Sequence, residues 1–263
     1  MRIKQDGPFK NGYNSITEVD GKHSDMLMDF GILTMDKGQE EINSDKKERA
    51  YVLIQGEVKF EWEDKSDIAK RKDFLDNDVW CLSVPAGVKV KITALSNKTE
   101  LSVHETYNEI IFPSRLIGPK ECVIEVRGKG TMAEAGTRIV RTIMDKSTAP
   151  DSNLMLGEDV HYPGKWSGFP SHSHNQPEIY FYKFAIQSGF GLLRLGDEAV
   201  LLENNDTVKI YPNLMHPQVT APGYAMYYIW VIRHLENNPY IKPVFVPEHL
   251  WAGEPDAKIW PNK

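Results

Sequence analysis

From about residue 51 onward the chain is a succession of short runs rich in β-branched and aromatic residues. Each is closed by Gly, Pro, Asn or Asp. In the first half these runs cover residues 51–54, 58–62, 88–92, 100–103 and 123–126. In the second they cover 178–184, 191–195, 199–202, 207–211 and 224–232. Runs of this length and composition read as strands, and their punctuation reads as turns. Many short strands with little helical signal predict an all-β fold, a sandwich or a barrel. Residues 67–75 lack a clean apolar stripe and read as a helical turn or a polar loop.

A faint repeat divides the chain. Glu48 leads a strand-like run toward Gly56, and Val84-Pro85-Ala86-Gly87-Val88 follows later. Glu178 likewise leads a run toward Gly189 and Gly191, and Ile210-Tyr211-Pro212 then precedes His216. Each half therefore predicts one barrel, with the boundary near Pro119-Lys120. The expected domains are 1–118 and 119–263.

Composition narrows the function classes. The net charge of −6 and the lack of a basic segment argue against a nucleic-acid or anionic-membrane partner. Two cysteines, Cys81 and Cys122, are too few for a disulfide framework. The polar start, MRIKQDGPFKNG, and the lack of an 18-residue apolar run predict a soluble cytoplasmic protein.

The chemistry concentrates in FPSHSHNQPEIYFYKF, residues 169–184. Strand side chains alternate faces, so His172, His174 and Glu178 share parity. A strand-turn-strand around Asn175-Gln176-Pro177 would aim all three at one interior. His216, after the Pro212 turn, is the natural fourth donor. Three imidazoles and a carboxylate suit a borderline divalent ion: zinc, iron, manganese, nickel or cobalt. His23, His104, His234 and His249 lack such partners. His161, upstream of the cluster, is placed to line the site, but a structural or surface role is the stronger reading.

The pattern H-x-H-x(3)-E followed by P-x(3)-H resembles the cupin metal site. More narrowly, Tyr162 to His174, with His216-Pro217 and the later Ala221 to Tyr228, resembles the 5-deoxy-glucuronate isomerase family, which is related to 5-keto-4-deoxyuronate isomerases. The loop from His174 to Glu178 is short, as in the latter relatives, and Thr220 stands at a usual asparagine position. The resemblance implies two cupin (double-stranded β-helix, jelly-roll) barrels in one chain. It also implies that the first has lost its metal, since Val90 stands where a histidine would. That barrel would then serve packing, homo-oligomer contacts or one wall of the site.

The implied activity is conversion of 5-deoxy-glucuronate to 5-dehydro-2-deoxy-gluconate in inositol catabolism. A six-coordinate ion with four protein ligands keeps two open positions, which suit adjacent carbonyl and hydroxyl oxygens. Glu178, Tyr180 and Tyr182 share parity and are candidate catalytic residues. Arg138 and Lys165, in the family-like segments, are candidates for the substrate carboxylate. Gln218 follows His216 onto the inner face and is placed to bond a hydroxyl. Alternatives are a 5-keto-4-deoxyuronate isomerase, an iron cupin dioxygenase and a non-enzymatic sugar-binding cupin.

Overall fold

The structure, a computed structural model, describes residues 1–76 and 78–261. The expected all-β architecture of two cupin barrels forms. The helical elements among the described residues are three 3-10 turns, Ser24–Met26, Met132–Glu134 and Pro247–Gly253. None of these is long and apolar enough to cross a membrane. The described chain divides into two compact units. One comprises Asp6–Val123 and Ile143–Met155. The other comprises Met1–Gln5, Ile124–Thr142 and Leu156–Lys263. Relative to a boundary near residue 118, two short segments thus join the unit opposite to their place in the sequence.

In the first unit one 15-residue strand, Glu48–Trp62, does the work of two. The sequence suggested separate runs on either side of Gly56. The strand instead continues through a register irregularity between Leu53 and Gln55. Gly56 has φ +105, and a Cβ there would collide with the Thr99 backbone. The strand bends at this point and passes from one sheet to the next. Its first half pairs with Cys81–Val84 and Thr99–Thr106, and its second half with Lys65–Arg71 and Val90–Ala94. The interior is apolar, with Leu33, Leu53, Phe60, Trp62, Val90 and Leu101 all buried.

Lys65–Arg71 corrects the reading of residues 67–75 as a helical turn or loop. Its polar residues face water while Ala69 and Arg71 are buried, which is the alternation of a strand with one solvated face. Pairing to the long strand supplied what local propensity did not.

In the second unit a seven-stranded sheet runs in the order Arg2–Ile3, Thr207–Ile210, Glu178–Phe184, Met226–Arg233, Leu154–His161, Arg138–Met144, Val123–Arg127. A four-stranded sheet holds Trp166–Ser167, Gln218–Thr220, Phe190–Leu195 and Glu198–Glu203. The interior lies between them, bridged by a 2.8 Å hydrogen bond between Ser167 Oγ and the Tyr228 hydroxyl. Arg2 fastens the N-terminal strand by ion pairs to Asp206 and Glu203.

His104 lies fully buried in the first unit, its Nε2 2.9 Å from Ser102 Oγ, and burial pushes its pKa down to about 3. In the unfolded chain an imidazole takes up a proton below about pH 6.5, whereas in the folded chain it does not until much lower. The unfolded state therefore binds more protons in this window, and stability is lost as pH falls from about 6.5 toward 3. One such group contributes about 1.4 kcal/mol per pH unit. His104→Gln is expected to flatten the acid limb of urea-unfolding stability against pH by about one proton. A variant limb as steep as wild type would remove His104 as a contributor.

Candidate metal centre

Three of the expected donors come together. Ligand atoms of His174, Glu178 and His216 all lie within 4.8 Å of one another, and all three residues are buried. Glu178 Oε2 stands 3.1 Å from His174 Nε2 and 3.5 Å from His216 Nε2. The backbone decides the chemistry of those contacts. His174 Nδ1 lies 2.9 Å from the Gln176 carbonyl, and His216 Nδ1 lies 2.8 Å from the Leu214 carbonyl. A carbonyl only accepts, so each Nδ1 carries the proton, and in a neutral ring Nε2 presents a lone pair. Burial holds His216 down at about 4, hence neutral near pH 7. Its Nε2 has no hydrogen-bond partner. The Nε2 atoms of His174 and His216 thus converge on one carboxylate oxygen in a buried pocket, the His174 contact being within hydrogen-bond distance. The donor set therefore fits a divalent ion.

His172 flanks this group. Its ring sits edge-on to His216 with centroids 4.8 Å apart, and burial, followed by the nearby His174, pushes it down to about 4. Its strand is only two residues long and pairs with Val244–Phe245 near the C-terminus, with His172 opposite Phe245. The Val246 amide continues the contact by donating to the Ser171 carbonyl. A distant segment, not alternation along one strand, therefore sets where His172 stands. A cleft of about 350 Å³ opens beside His174, with Tyr240 and Lys242 in its wall.

Behind the donors lies a buried polar interior. Tyr180 and Tyr182 point inward with Glu178, as their parity predicted. Tyr180 lies opposite Trp230, and Tyr182 opposite Tyr228, in the adjoining strand. Burial pushes both phenols, and Tyr228, well above 10, so each keeps its proton at neutral pH and acts as a donor. Asp159 gathers this wall together. It accepts from Arg138 Nε at 2.9 Å, Trp230 Nε1 at 3.0 Å and Ser167 Oγ at 3.3 Å. With the Ser167 hydrogen committed to Asp159, the Tyr228 hydroxyl donates to Ser167. Gly157 makes room, since a Cβ there would overlap the Trp230 ring.

The substrate-binding candidates separate. Arg138 is mostly buried against Asp159, and its charge is felt at His161, His172 and Tyr228, so it borders this interior. Lys165 sits on a turn within electrostatic range of Glu134. Gln218 is fully buried, and both its amide atoms lack hydrogen-bond partners. Sequence reasoning missed Asp159 and Tyr228, and ranked the inward place of His161 second to a structural or surface role. The run LMLGEDVH, Leu154–His161, contains Gly, Glu and Asp and reads as a loop, yet it forms a central strand.

Several known proteins are similar to this chain in sequence or in fold. A 5-deoxy-glucuronate isomerase from Geobacillus kaustophilus is 29% identical over 226 residues, 77% of this chain and 78% of that one. An IolB-like protein from Salmonella typhimurium LT2 has a structure matching with TM-score 0.84 at 25% identity, over 94% of this chain and 97% of that chain. Bacillus subtilis oxalate decarboxylase, described with Mn(II) centres, matches with TM-score 0.63 at 12% identity, over 95% of this chain and 80% of that one, a likeness of fold. The family model described as KduI/IolB family matches residues 2–252, and the chain belongs to that family.

Proposed function

We propose that this protein is a metal-dependent aldose–ketose isomerase that converts 5-deoxy-glucuronate to 5-dehydro-2-deoxy-gluconate, a step of inositol catabolism. The observation that carries the metal dependence is the convergence of the His174 and His216 Nε2 atoms on the Glu178 carboxylate. The relatives' activity supports the substrate. His172, His174, Glu178 and His216 are the ligands in this reading. A divalent ion bound there supplies Lewis-acid polarisation of a carbonyl. The chain's own residues do the rest. Tyr180 and Tyr182, kept protonated by burial, donate to substrate oxygens as charge develops on them. The buried interior excludes water from the carbon that gives up its proton. Asp159 holds the Arg138 guanidinium in place to meet the carboxylate end.

The N-terminal barrel is read as metal-free. Glu48 opens the long strand as Glu178 opens its own, but by register it is the next residue, Arg49, that pairs with the last residue of the neighbouring strand, Val84, as Glu178 pairs with Ile210. The Arg49 guanidinium donates to Asn43 Oδ1 at 2.8 Å and to the carbonyls of Pro85 and Val88. A fixed positive charge in that place disfavours a cation.

Three outcomes are expected. Purified protein should carry one equivalent of metal per chain, and His174→Ala should lose most of it on dialysis. Elemental analysis showing two equivalents, or a full equivalent in the variant, would count against this ligand assignment. Metal-loaded protein should interconvert the two sugars under argon without NAD or ATP, followed by proton NMR at the aldehyde. Chelation should cost at least about a hundredfold in rate. Unchanged spectra would remove this substrate, and a change that needs oxygen would point to a dioxygenase. Arg138→Lys keeps the charge beside Asp159 but loses the planar fork. Its KM should rise about tenfold, the worth of one charge-assisted hydrogen bond, with kcat within a few-fold of wild type. An unaltered KM would release Arg138 from substrate binding.

A further inference from the structure

Beneath the ligands, the interior of the second barrel contains polar groups that the protein leaves unused. His161 is fully buried, and neither ring nitrogen makes a hydrogen bond of ordinary geometry, although the Lys165 backbone lies near enough to act on the ring. Gln218 is also fully buried, with amide nitrogen and oxygen both unbonded. A buried polar group left unpaired costs about 1–3 kcal/mol, and these two side chains carry four such atoms. Proteins rarely keep that many together without something to meet them.

The strand registers place both residues in one interior. Gln218 lies directly opposite Ser167, and opposed residues of an antiparallel pair share a face. Ser167 Oγ reaches the Tyr228 hydroxyl, and the Tyr228 ring meets His161 edge-on, centroids 5.4 Å apart. His161 shares parity with Asp159 on its strand, and Gln218 opens its own strand two residues after His216. The rings form a continuous line from the donors: His216 to Tyr180 at 5.7 Å, Tyr180 to Tyr228 at 4.8 Å, Tyr228 to His161. Gln218 therefore lies one step in from a ligand, and His161 lies further along the same buried interior.

We propose that Gln218 and His161 form a subsite for the hydroxyl groups of an open-chain hydroxy acid whose reacting end faces the ligands. The proposal rests on the isomerase reading and extends it to the unreacting part of the substrate. Gln218 offers an amide donor and acceptor. A neutral imidazole offers one donor and one acceptor, and the burial that pushes His161 down to about 3 keeps it neutral. Each hydroxyl both donates and accepts, so the two side chains match it in either sense. Three ring-to-ring steps set His161 back from His216. It meets the far part of the chain rather than the carbons that exchange a proton, and so governs specificity rather than the chemical step. A site built to bond hydroxyls discriminates strongly against chains that lack them.

The test uses metal-loaded protein and the hydroxy acid made by reducing the aldehyde of 5-deoxy-glucuronate to an alcohol, which cannot isomerise. Calorimetry should give a dissociation constant at least about tenfold weaker for His161→Phe and for Gln218→Leu, the worth of one lost hydrogen bond with its partner left unpaired. Metal content should stay at the wild-type value, and Tm should hold or rise, because an unpaired polar group has been removed. If either variant fails to fold, His161→Asn or Gln218→Met is read in its place. Wild-type turnover with unchanged affinities in the variants, and a lowered Tm, would mean that these groups only hold buried water. That result overturns the subsite and leaves the isomerase standing. A wild type that does not turn over the sugar, yet binds the reduced acid through these two residues, overturns the isomerase reading and upholds the subsite. Wild-type protein that binds no such chain overturns both.

Discussion

A buried carboxylate on which two imidazole nitrogens converge is the constraint around which the second barrel is organised. Left alone, Glu178 would repel the Nε2 atoms of His174 and His216, or draw protons onto them. The carbonyls of Gln176 and Leu214 hold each Nδ1 proton, which disfavours the opposite tautomer and keeps each Nε2 turned toward the carboxylate. Those carbonyls sit in turns next to Pro177 and Pro212, whose rings restrict the backbone. Strand ends therefore bring the donors near one another, and the turns determine which atom of each ring faces inward.

The two barrels fill their interiors differently, and the physical consequence is a division of labour. Leu33, Leu53, Phe60, Trp62, Val90 and Leu101 fill the first, an apolar interior that stabilises by burial. The second encloses Tyr180, Tyr182, Tyr228, Asp159, His161 and Gln218. Polar groups inside a protein are tolerated when they are bonded, and the Asp159 hub bonds Arg138, Trp230 and Ser167. The hub makes that wall rigid, while the unbonded atoms of Gln218 and His161 remain available to a ligand.

Much of this was legible in the residue order. Short runs punctuated by Gly, Pro and Asn announced an all-β chain, because that punctuation acts locally on φ and ψ. Shared parity announced that Glu178, Tyr180 and Tyr182 would face one way, because side-chain alternation is a property of any strand. Lys65–Arg71 and Leu154–His161 were not legible as strands, since their charged residues and glycine oppose strand formation locally. Both are held by their neighbours in the sheet. His161 looked structural for the same reason: its strand, and so its direction, was invisible.

What the sequence by itself determined is the inventory: strands, turns, and a histidine pair spaced from a glutamate so that one turn could bring them together. Tertiary structure alone decided where those groups meet. His172 is placed by Phe245, 73 residues further along the chain. Arg138 is oriented by Asp159, and Gln218 is set beside Tyr228 through Ser167. Parity and turn chemistry depend on residues adjacent in the chain, so they can be read from order. Pairing between distant strands depends on which surfaces bury each other, and that is fixed only when the whole barrel closes.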